Sequence, residues 1–186
     1  MATRNARTTL IGAALAIVML PLARAAPAML RGSKAPEYVI KADYLTKFAP
    51  FVGWPPRAFA GAHAPLIICI VGADPFGVAL DDIVRHRHAQ GRPIVVRRMS
   101  VLAQGTLCHI LFVGHADDQA TQDIWRAVAG QPILTVTDYS PGVAGGIIQF
   151  IPQDGRVRFT IDASRAQANG LSISSKLLDL ALRTQP

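Results

Sequence analysis

The chain has 186 residues, 51% of them hydrophobic and 17% charged, with 19 Lys+Arg against 12 Asp+Glu and two cysteines. That much apolar content excludes a disordered chain, and two cysteines exclude a disulfide-dense miniprotein. The length suits one domain, and the formal charge of +7 resembles a nucleic-acid signal until its sources are located.

Residues 1–25 read as a cleaved secretory signal. Arg4 and Arg7 form a positive start, Leu10 to Leu20 an apolar stretch ended by Pro21, and Ala23-Arg24-Ala25 a small-x-small cleavage site. The stretch of about 11 residues is too short to span a bilayer core of roughly 30 Å. An uncleaved anchor helix is the alternative. Arg4 and Arg7 are not adjacent, which argues against a twin-arginine signal, and no cysteine follows to carry a lipid. Removing Arg4, Arg7 and Arg24 lowers the formal charge from +7 to +4. The remainder is a mildly basic globular chain that calls for no nucleic-acid partner and, once processed, no membrane span.

Residues 26–36 lack periodicity and read as a flexible leader, with the folded domain over 37–186. From Glu37 the pattern is helical, with Tyr38, Ala42, Leu45, Ala49 and Val52 on one face and Trp54-Pro55-Pro56 as the stop. Leu66 to Val71 is a continuous apolar run, as expected of a strand buried on both faces of a parallel sheet. Asp74 as N-cap and Pro75 at the first position then predict a helix carrying Phe76, Leu80, Ile83 and Val84. Further strands are predicted over 93–97, 109–113 and 132–136, with a helix over 118–129 closed by Gly130. Residues 146–151 and 156–161 flank Asp154-Gly155 and predict a hairpin. Helical pieces follow over 163–169 and 174–183. The order implies an α/β fold of one domain: a mixed, largely parallel sheet with helices on both faces and a C-terminal hairpin plus helix.

Cys69 lies in the first long strand and Cys108 just before the third. If those strands are neighbours in an oxidising compartment, a bridge is favoured over two buried free thiols. No metal site is expected. His86 and His88 point to different sides of a helix beside Arg85 and Arg87. His109 reads as a histidine tied into the core, and His63 and His115 stand alone in loops. No catalytic constellation is found. Gly-x-Ser-x-Gly and Gly-x-Gly-x-x-Gly are absent. Ser174 reads as a helix cap rather than a partner of Lys176. Gly142-Val-Ala-Gly-Gly146 reads as a turn needing positive φ. Asp81 and Asp82 diverge on their helix. The basic residues Arg85, Arg87, Arg92, Arg97 and Arg98 form a solvated face or one suited to an acidic partner or anionic lipid.

The motifs, in order, resemble the YfiR/HmsC-like family. They are Lys41-Ala-x-Tyr44-Leu-x-Lys-Phe48, Phe51-Val-x-Trp54-Pro55 and Pro65-Leu-x-x-Cys69-x-x-Gly72-x-Asp74-Pro75-Phe76-Gly77. Gly91-Arg92-Pro93, Cys108-His109-Ile110-Leu111-Phe112, Leu134-Thr135-Val136, Gly145-Gly146-Ile147, Val157-Arg158-Phe159 and Leu171-x-Ile-Ser-Ser-Lys-Leu177-Leu178 complete the series, over about residues 38–182. The resemblance implies a periplasmic, non-enzymatic protein without a cofactor. It would repress an inner-membrane diguanylate cyclase by binding that enzyme's periplasmic domain, lowering cyclic di-GMP and with it exopolysaccharide and biofilm. The family's central cysteine pair maps onto Cys69 and Cys108. Some members carry a second pair near the hairpin, where this sequence has none. No motif marks partner-contact residues. A homodimer is compatible with the pattern, though no surface is marked for it. The rival class is a periplasmic small-molecule sensor or carrier, using a crevice at the strand ends near Gly72-Ala-Asp74 and Gly114-His115.

Overall fold

The computed structural model describes residues 35–115, 118–139, 145–182 and 184–185. The signal sequence expected over 1–25 and most of the leader expected over 26–36 lie outside the described residues. In chain order the helices are α1 (Ala35–Phe48), α2 (Val78–Val84), α3 (Asp118–Val128), α4 (Ala163–Ala168) and α5 (Ser175–Leu178). The strands are β1 (Val52–Gly53), β2 (Leu66–Val71), β3 (His88–Ala89), β4 (Arg92–Met99), β5 (Ile110–Val113), β6 (Leu134–Asp138), β7 (Ile148–Gln153), β8 (Arg156–Asp162), β9 (Ser172–Ile173) and β10 (Thr184–Gln185).

Eight strands form one sheet in the order β10-β8-β7-β6-β5-β2-β4-β3. Pairing is parallel from β4 through β2, β5 and β6 to β7, and again between β8 and β10. It is antiparallel in the β7–β8 hairpin and between β3 and β4. β1 and β9 pair separately. This is the mixed, mostly parallel α/β domain expected, with its C-terminal hairpin and helix.

The apolar run of β2 is buried at every position because both its faces are covered. Leu66, Ile68 and Ile70 join Leu45 and Phe48 of α1, Leu80 and Val84 of α2, Ala166 of α4 and Leu177 of α5. Ile67, Cys69 and Val71 face the other way, against Ile124 and Val128 of α3. The period-2 alternation of one strand thus feeds two cores. Tyr44 and Phe48 of α1 meet Phe150 and Phe159 of the hairpin, with ring centroids 5.2–6.0 Å apart. Edge and stacked aromatic contacts of this kind add to the area they bury.

The hairpin turns through Asp154 (φ 51°) and Gly155 (φ 69°), the left-handed pair that an Asp-Gly two-residue loop supplies. Asp162 and Ser174 cap α4 and α5, their side chains accepting from the Arg165 and Leu177 amides.

Several expectations are corrected. Asp74 is not the N-cap of α2. Its carboxylate accepts from the Phe76 and Gly77 amides in a turn that precedes the helix, and Gly77 (φ 51°) holds the cap position. Pro75 therefore lies outside α2. α1 begins at Ala35 and ends at Phe48. Ala49 belongs to a short 3-10 turn and Val52 to β1, because Pro50 cannot donate a helical hydrogen bond. The last helix is a single turn, and the Leu182 amide beyond it donates to Phe159 O. Of the turn expected over Gly142–Gly146, residues 142–144 lie outside the described residues, and Gly146 has no positive φ. Gly146 is needed for close approach, since a Cβ there would lie 2.7 Å from Thr135 O.

Candidate functional site

β2 lies between β4 and β5, and the chain leaves it through α2 toward one side and returns through β5 on the other. Such a reversal opens a crevice at the carboxyl ends of the strands. The loops after β2 and β5 meet back to back there. A Cβ at Gly114 would sit 1.9 Å from Ala73 O, and Gly72 (φ 79°) faces the His115 carbonyl. These two glycines let the walls close on each other while the residues beside them open outward. The result is a cavity of about 490 Å³ at the position expected from Gly72-Ala-Asp74 and Gly114-His115.

One side of the cavity is formed by the first turns of α1. Lys41 is 4% exposed, an unusual state for a lysine, and its ammonium lies 2.5 Å from Glu37 Oε1 and 2.6 Å from Asp138 Oδ1. Burying an ammonium is costly unless paired, and here two carboxylates share it. The ammonium also lies 4.7 Å from the centre of the Tyr38 ring. Burial raises the Tyr38 phenol to about 12, reinforced by the charge of Asp138, a hydrogen bond to Asp138 and the charge of Glu37. Sequence reading placed Lys41 only within a motif. A lysine on a helix ordinarily reads as solvated, and the signal available was its place beside Ala42 on the apolar face.

On the other side, Arg98 of β4 holds Asp74 (Nε to Oδ2, 2.6 Å) and Asp81 (Nη1 to Oδ1, 2.9 Å). Asp81 and Asp82 diverge as expected, Asp82 pairing instead with Arg85. The remaining basic residues disperse. Arg87 pairs with Asp43, Arg92 donates to the Gly61 and Ala64 carbonyls, and Arg97 is exposed.

His109 is fully buried. Its backbone N–H donates to Ile67 O, and its Nδ1 accepts from the Ile67 amide at 3.0 Å. Phe59 stacks on the imidazole at 4.3 Å, and the Arg92 guanidinium covers the Phe59 ring at 3.9 Å. This is a core histidine, as read from sequence. Burial lowers it to about 4, outweighing an upward pull from a hydrogen bond to the Ala58 backbone, and the charge of Arg92 adds a smaller downward push. An unfolded histidine takes its proton near 6.5, so the unfolded state binds more protons between those values. The stabilisation is complete above pH 6.5 and falls as pH drops toward 4, by about 3 kcal/mol in all. Urea midpoints at pH 7 and pH 4.5 check this: His109→Gln should lose less on acidification than the parent chain, and equal losses would refute the account.

Cys69 and Cys108 form a disulfide with Cα atoms 5.9 Å apart. The bridge lies within the α3-side core, Cys69 unexposed and Cys108 4% exposed. His63, His86, His88 and His115 are exposed, and among the described residues no three His, Cys, Asp or Glu groups converge to hold a metal ion. No helix among the described residues is long and apolar enough to cross a membrane.

The fold is a mixed, mostly parallel α/β domain with a crevice at the carboxyl ends of its strands. A family model described as YfiR/HmsC-like matches residues 38–182, and the chain belongs to that family. At the family level this supports a periplasmic, non-enzymatic regulator of the diguanylate cyclase system.

Proposed function

We propose that this chain is exported by cleavage after residue 25 and represses an inner-membrane diguanylate cyclase by binding its periplasmic domain. Cyclic di-GMP production then falls, and exopolysaccharide and biofilm with it. The protein makes and breaks no bond in a substrate. The observation that carries the reading is the family match over residues 38–182. The buried Cys69–Cys108 bridge suits an oxidising envelope. A repressor of this kind must bind the inactive form of its partner more tightly than the active form, and an envelope signal releases it by reversing that preference.

Deleting the gene in a strain that carries the cognate cyclase should raise cyclic di-GMP, and a plasmid copy should restore it. Unchanged levels would refute repression. The second reading, a periplasmic small-molecule sensor, is favoured by the cavity of about 490 Å³ at the strand ends.

A further inference from the structure

The crevice has a chemical bias that the repressor reading does not use. Three carboxylates line it, from Glu37, Asp74 and Asp138, against one ammonium, Lys41. This is a locally acidic site on a chain that is basic overall. Asp74 is consumed by Arg98 and by two backbone amides. Glu37 and Asp138 share a single cation through Oε1 and Oδ1, Asp138 also accepts from the Tyr38 hydroxyl, and the two remain 35% and 28% exposed. A carboxylate offers about four acceptor sites, so one shared ammonium and one phenol leave acceptor capacity on both of these cavity-lining groups. The walls are partly aromatic: Tyr38 and Phe112 within, Tyr139 half-exposed at the mouth.

We propose that this crevice binds a small organic ammonium ion, with its cationic head on the Glu37 and Asp138 carboxylates and its carbon skeleton against Tyr38 and Tyr139. Charge selects the class. An anion would meet two carboxylates whose one cation is buried and already shared. A bare metal ion would require three or more converging ligands, which the described residues do not supply. The volume falls within the range of small-molecule pockets, and aromatic faces attract organic cations.

The test is calorimetric titration of the processed chain with cadaverine and choline as ammonium probes, succinate and inorganic phosphate as anionic ones, and glucose as a neutral one. At least one ammonium probe should bind with a Kd tighter than about 1 mM. Asp138→Asn and Glu37→Gln should each weaken it about tenfold, the loss expected of a charge-assisted hydrogen bond. Tyr139→Ala changes an exposed rim residue, spares the fold, and should weaken binding severalfold. The proposal is overturned if no ammonium probe binds, if only anions or glucose bind, or if Tyr139→Ala and a folded Asp138→Asn both leave affinity unchanged. It does not depend on the cyclase: a deletion strain with unaltered cyclic di-GMP would sink repression and leave the titration standing.

Discussion

Replacing both Cys69 and Cys108 by alanine should destabilise the domain by about 4 kcal/mol. The bridge joins positions 39 residues apart, and in the chain-entropy treatment opening a loop of that size returns about that much freedom to the unfolded state. The sulfurs sit in the core between Ile67, Leu111 and Val113 of the sheet and Ile124 and Val128 of α3. The strand that carries Cys69, β2, lies inside the sheet between β5 and β4. Urea unfolding of the oxidised chain, the chain refolded under reductant, and the double alanine variant separates the contributions. Reduction alone should account for most of the loss, with the alanines adding a smaller deficit from lost packing volume. Refolding under reductant is needed because the sulfurs are buried and native-state reduction would wait on opening. An unmoved midpoint on reduction would show that the bridge contributes nothing to stability.

The parts of this fold that were legible in the sequence are those governed by local periodicity. Leu66 to Val71 declares a doubly buried strand because no polar residue interrupts it. Asp154-Gly155 declares a hairpin because few other pairs accept two left-handed residues. The crevice also followed, since parallel strands ending near Gly72 and Gly114 open one at their carboxyl ends. What escaped notice depends on distant partners. The two-residue strands β1, β3 and β9 are too short to show any period. The capping role assigned to Asp74 failed because an Asp two or three residues before any free amides can satisfy a turn as well as a helix end. The last helix was overextended because Leu182 carries the right spacing, while its backbone is taken by Phe159 of β8. Lys41 carries little local signal of its state. Its burial is decided by Asp138, whose position beside α1 exists only once β6 has been placed in the sheet.

Lys41→Met should therefore be among the most damaging single changes at the crevice, costing about 4 kcal/mol. Removing one partner from a buried ion pair leaves the others uncompensated, and the usual cost is several kcal/mol. Here two carboxylates, Glu37 and Asp138, would face each other across the site that the ammonium had occupied. Methionine nearly preserves the volume and the unbranched stem, so the loss reports charge rather than packing. The second half of the prediction distinguishes that cause from a general disturbance of α1. Adding Asp138→Asn to Lys41→Met removes one of the stranded charges and should restore part of the stability, so the double variant loses less than the two single losses combined. A coupling of about 1–3 kcal/mol in a double-mutant cycle by urea unfolding is expected for groups in direct contact. Strict additivity would mean that Lys41 stabilises α1 through its stem alone, and that the acidic character of the crevice is not held in check by this residue.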